Sequence, residues 1–222
     1  MGEVVDLEAK DGAVIGAYVA TPAGDARGGI VVAQEMYGIT GYLRRVCDRF
    51  AAAGYLTVAP ALYDRIEKSV ACKYSPEGHE RAKTLSLKVE WDDALDDLES
   101  AVAVARPAGK VALVGFCWGG TMAWLAACRK HFDCAVSYYG SEIADFAGEQ
   151  ANCPTLIHIG EEDRTITADE RAAFRAAQPD IPFHLYPKTP HGFDNEDRDR
   201  FVQASAELAR RRTLEFLKAH IG

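Results

Sequence analysis

Apolar and polar positions recur along this chain at two different periods, and the switching between them predicts an order of elements. Short runs rich in β-branched and aromatic residues fall at positions 4–7, 13–20, 29–33, 56–59, 111–115, 135–139, 155–159 and 183–186, with the length and make-up of strands. From the third run onward they are separated by segments with apolar residues three or four apart, at 42–53, 91–105, 119–130, 168–177 and 199–219. Such alternation predicts a mainly parallel twisted α/β sheet of about eight strands with helices on both faces. The first two runs are joined only by a link containing Lys10-Asp11-Gly12; Asp-Gly is a strong turn signal, so they read as an antiparallel hairpin at the N-terminal edge. The polar stretch 63–90 contains Pro76 and Gly78 and predicts a long excursion with one helix, of the kind that often covers a site. With no repeat, low-complexity tract or linker in view, residues 1–222 are expected to form a single domain.

Composition narrows the function classes. Thirty-three acidic against 25 basic residues leave a net charge of −8, which disfavours nucleic acid and anionic membrane surfaces as partners. The start lacks a cationic segment followed by an apolar one, and no long uncharged apolar run follows, so a cytoplasmic protein is expected. Six cysteines lie far apart without a C-x-x-C pair, which argues against a disulfide framework or a zinc site. No metal and no cofactor is expected.

One cysteine stands apart. In parallel α/β sheets chemistry gathers at the carboxyl ends of strands, and Gly115-Phe116-Cys117-Trp118-Gly119 ends the fifth run. It matches the G-x-S-x-G nucleophile elbow with sulfur in place of oxygen: the glycines leave room for a strained turn, and the following helix start favours a thiolate. The elbow fold supplies its acid and base downstream, each after a strand. Gly160-Glu161-Glu162-Asp163 follows the seventh run and offers three carboxylates, of which Asp163 suits a short reach past the strand end; His191 follows the eighth, flanked by Pro190 and Gly192. His158 and His184 read as packed within strands, and His79, His131 and His220 as solvated. In this reading Cys117 attacks an acyl carbonyl, His191 carries the proton and Asp163 fixes its tautomer. The N–H groups of Trp118 and Met36 form the oxyanion hole.

These segments, together with Ala33-Gln34-Glu35-Met36-Tyr37-Gly38, Pro60-Ala61-Leu62-Tyr63, Tyr138-Tyr139-Gly140, His158-Ile159-Gly160 and His191-Gly192-Phe193, resemble the dienelactone hydrolases, of carboxymethylenebutenolidase type. The resemblance runs over nearly the whole chain. It implies an α/β-hydrolase fold, a cysteine nucleophile and cofactor-free hydrolysis of a small ester or lactone; a monomer and a homodimer are both compatible with the sequence. It puts Cys117, Asp163 and His191 in the triad, gives Glu35 a contact with the resting thiol, and makes Arg81, Tyr37 and Phe193 candidates for binding substrate. The family's type enzyme also holds a substrate carboxylate with two arginines, one of them four residues after the catalytic histidine. Here that position is Asn195, Arg81 is about two places off in an ungapped count, and Arg198 has two readings, first a solvated charge at a helix start and second a residue that reaches the site. The family's type substrate is therefore not carried over. Two other readings keep the fold: a ligand-binding protein in which Cys117 is structural, and a redox-responsive thiol protein.

Overall fold

The computed structural model describes residues 2–222. Eight strands build one sheet: β1 (Glu3–Glu8), β2 (Val14–Ala20), β3 (Gly29–Ala33), β4 (Leu56–Pro60), β5 (Val111–Phe116), β6 (Cys134–Tyr138), β7 (Thr155–Gly160) and β8 (Phe183–Tyr186), in the spatial order β1-β2-β4-β3-β5-β6-β7-β8. β1 and β2 form the expected antiparallel hairpin, β2 pairs antiparallel with β4, and every pairing from β4 to β8 is parallel. Burial follows from this arrangement: every residue of β3, β5, β6 and β7 is buried, because helices cover both faces, whereas β1 at the edge is mostly exposed.

Six α-helices accompany the sheet: α1 (Gly41–Ala52), α2 (Pro76–Ser86), α3 (Trp91–Ala105), α4 (Trp118–Arg129), α5 (Ala168–Ala177) and α6 (Gln203–His220). Thr40 caps α1 by accepting from the Leu43 N–H, and Thr167 and Glu170 close a capping box at α5. α4 is buried almost all round, which its Gly119-Gly120-Thr121 start and Ala-rich body allow. The helix expected over 199–219 begins only at Gln203: the Val202 N–H is taken by the Phe193 carbonyl at 3.1 Å, which keeps the preceding residues in the loop after His191. Ser75 caps the single helix of the excursion, α2, and Pro76 occupies its first turn.

The order β4-β3-β5 is the feature that places a site. The chain leaves β3 toward one side of the sheet and later returns to β5 on the other, so the loops after these adjacent strands diverge and open a crevice at their carboxyl ends.

Candidate active site

Cys117 lies in that crevice, between β5 and α4, with φ 56° and ψ −120°. This backbone conformation is strained for a residue with a Cβ, and glycines make it possible. A Cβ on Gly115 would come within 1.8 Å of the Gly119 carbonyl oxygen, and one on Gly119 within 2.4 Å of the Ala33 carbonyl oxygen. The turn is fixed further by the Cys117 N–H donating to the Tyr138 carbonyl at 2.9 Å.

The three side chains singled out after β5, β7 and β8 come together. His191 Nε2 lies 3.1 Å from Cys117 Sγ, and His191 Nδ1 lies 2.8 Å from Asp163 Oδ2. The other carboxylate oxygen of Asp163 accepts from the N–H groups of Thr165 at 2.8 Å and Ile166 at 3.2 Å. All three residues are buried, Cys117 being 8% exposed at the floor of a cavity of about 400 Å³. Burial alone would pull the His191 imidazole down; the sulfur and the carboxylate flanking it overcome that and hold it up at about 10.

Met36 and Trp118 both line the cavity, and neither N–H is engaged by an acceptor among the described residues. Tyr63 ties the two together: its hydroxyl donates to the Met36 carbonyl at 2.7 Å and its ring stacks on Trp118 with centroids 5.5 Å apart. Tyr63 was visible in sequence only as part of a motif, because this role depends on the excursion folding back over the loop after β3.

Glu35 is 2% exposed and makes no hydrogen bond with the thiol. Its Oε2 instead accepts from Asn195 Nδ2 at 2.8 Å and from the Tyr74 hydroxyl at 3.3 Å, while Oε1 is left without a partner among the described residues. Burial pushes this carboxyl above the usual range, and Arg198, Asn195 and His191 draw it back.

Like Glu35, which does not bond the thiol, Arg81, Phe193 and Arg198 stand otherwise than the sequence suggested. Arg81 does not face the cavity; it pairs with Glu67 on the exposed side of α2. The cavity-lining residues of that helix are His79, Lys83 and Ser86, spaced by four and three, and Arg81 is about 200° round the helix from His79. Phe193 is fully buried, its ring 5.3 Å from Tyr139 and 5.2 Å from Tyr186, because the chain turns at Gly192 (φ 77°) and sends it into the core. Arg198 is the third: it is only partly exposed, and its guanidinium lies over the rings of Tyr37 at 5.4 Å and Tyr74 at 5.6 Å. It lines the cavity beside Cys117, with Arg200 and Lys83 close by. Tyr37 lines it too, and its hydroxyl is 2.9 Å from Nδ1 of His79, which is exposed, as the sequence suggested.

The chain resembles known proteins over nearly its whole length. The model of the dienelactone hydrolase family matches residues 15–221. The carboxymethylenebutenolidase of Pseudomonas putida is 32% identical over 225 residues, covering 97% of this chain and 95% of that protein. Carboxymethylenebutenolidase 1 of Cupriavidus pinatubonensis is 30% identical over 227 residues, covering 98% and 97%. Among solved structures, a Klebsiella pneumoniae protein assigned to the dienelactone hydrolases superposes with a TM-score of 0.84 at 29% identity, covering 97% of each chain. With the family matched from the second strand to the last helix and the crevice built as the α/β-hydrolase fold builds it, the chain belongs to the dienelactone hydrolase family and is an ester or lactone hydrolase.

Proposed function

We propose that the chain hydrolyses a small, carboxylate-bearing ester or lactone by covalent catalysis at Cys117. The observation that carries the reading is the unbroken line from Asp163 Oδ2 through the His191 ring to Cys117 Sγ, with contacts of 2.8 and 3.1 Å, opening onto a cavity. The thiolate attacks the acyl carbon, and the developing oxyanion is met by the N–H groups of Met36 and Trp118. As the C–O bond breaks, His191 gives its proton to the departing alkoxide, leaving a thioester. Water then attacks the thioester, gives its proton to His191, and releases the acid with the thiolate restored. In a lactone the alkoxide and the acid stay in one molecule.

The cationic wall supports the carboxylate. Asn195 stands where the type enzyme has an arginine, yet the cavity keeps Arg198, packed against the rings of Tyr37 and Tyr74, with Arg200 and Lys83 also lining it. The two carboxymethylenebutenolidases that the chain resembles bear a name that fits the same substrate class. We also propose that the 222 residues act as a single domain and work in a reducing, cytoplasmic setting, which suits six free thiols.

A panel of neutral and carboxylate-bearing esters and lactones tests the reading. Cys117→Ala is expected to lose about 10³-fold or more in kcat/KM on every substrate, since nucleophile and base act as a unit. Arg198→Met is expected to lose about 10- to 100-fold on the anionic members alone, the scale of one charge-assisted hydrogen bond. Equal losses on neutral and anionic substrates would assign Arg198 to the scaffold and remove the carboxylate from the proposal.

A further inference from the structure

The turn that carries Asp163 is gripped by a cation whose hydrogen bonds all end on main-chain carbonyls. Arg171, in the first turns of α5 and partly exposed, donates from Nη1 to the carbonyls of Asp163 at 3.2 Å and of Ile166, and from Nη2 to that of Glu161 at 2.9 Å. These carbonyls bracket the turn on both sides of the acid. A planar guanidinium presents its donors in a fixed fork and so holds the three acceptors in one relative geometry, whereas an ammonium is a point charge on a flexible stem.

The grip reaches the base as well. The peptide unit joining Glu161 to Glu162 gives its carbonyl to Arg171 and its N–H to the Thr189 carbonyl at 3.0 Å, two residues before His191. One rigid peptide plane therefore couples Arg171 to the loops of both acid and base. The N–H groups of Thr165 and Ile166 point inward to Asp163 Oδ1, while the carbonyls of the same turn point outward to Arg171. Helix α5 does not need this cation to start, since Thr167 and Glu170 already cap it. Arg171 is not among the residues lining the cavity at Cys117.

We propose that Arg171 is the positioning residue of the catalytic acid: it fixes the direction of the Asp163 carboxylate toward His191 Nδ1, and through it the aim of Nε2 at Cys117. The proposal rests on the triad reading given above. Arg171 touches no substrate, so its loss lowers kcat and leaves KM in place. It acts through Asp163, so its effect disappears once Asp163 has lost its charge.

The test is a double-mutant cycle of Arg171→Met and Asp163→Asn, with kcat, KM and melting temperature measured for each variant. Arg171→Met is expected to lower kcat by about 10- to 100-fold, the cost of misplacing a reacting group by about an ångström, with KM and melting temperature close to wild type. Added to Asp163→Asn, it should cost less than about twofold more, because the two residues act as one unit. Methylguanidinium in the buffer should restore kcat in Arg171→Met but not in the double variant. Should Arg171→Met fail to fold, Arg171→Lys, which keeps the charge and loses the fork, takes its place in the same cycle. Wild-type turnover by Arg171→Met beside a crippled Asp163→Asn would overturn the positioning role alone, as would losses that multiply in full. Wild-type turnover by Asp163→Asn would overturn the triad reading, and the positioning role with it.

Discussion

The proton on His191 is the residue-scale centre of the site. The imidazole ordinarily titrates at 6.5; here it is buried, which opposes the charge, but the sulfur of Cys117 and the carboxylate of Asp163 raise it to about 10. The sign of the linkage follows. A histidine held above its unfolded value contributes stability in full below about 6.5, and that contribution is lost as the pH rises through about 10. Nitrogen-15 spectra of the His191 ring should therefore show the cation throughout neutral pH, and Cys117→Ala should move the titration down, because it removes a group that raises it. An unmoved titration would mean that the sulfur does not couple to the ring. Cys117 itself was legible in the sequence because its signal is local, a thiol framed by glycines at a strand end. Arg198 was not: its meaning comes from stacking on Tyr37 and Tyr74, two aromatics far from it in the chain.

At the scale of elements, the elbow joining β5 to α4 sets Cys117 beside His191. Its glycines are dictated by backbone approaching from the sides: Gly119 meets the end of β3 and Gly115 meets Gly119 itself. Gly115→Ala is thus expected to destabilise the fold by about 1–3 kcal/mol or more, the range for overpacking a close-packed site, as measured by urea denaturation; an unchanged midpoint would show that the turn has slack. The strands were readable because β3, β5, β6 and β7 are buried on both faces and so are written in continuous apolar residues. The start of α6 was not, because the period of 199–202 suits a helix while the Val202 N–H is claimed by Phe193. The facing of α2 was likewise hidden. Neither face of that helix is strongly apolar, so only the fold shows that His79 and Lys83 border the cavity while Arg81 pairs with Glu67 away from it.

For the whole molecule, the reversal of strand order between β3 and β5 brings distant segments to one crevice. The loop after β3 brings Glu35 and Met36, the elbow brings Cys117, the turns after β7 and β8 bring Asp163 and His191, and the excursion covers them with α2. Chain order of acid and base made these loops identifiable from sequence, whereas the partners of Glu35 did not follow from any spacing: Tyr74 meets it from the excursion and Asn195 from the loop after His191. The central claim is that the acyl group passes through the sulfur of Cys117. It is tested most directly by acid-quenching the enzyme during the first turnover of an activated ester and mapping the peptides by mass spectrometry. One acyl group is expected on the peptide containing Cys117, lost on treatment with hydroxylamine and absent from Cys117→Ala. An acyl group on any other residue, or undiminished turnover by Cys117→Ala, would contradict it.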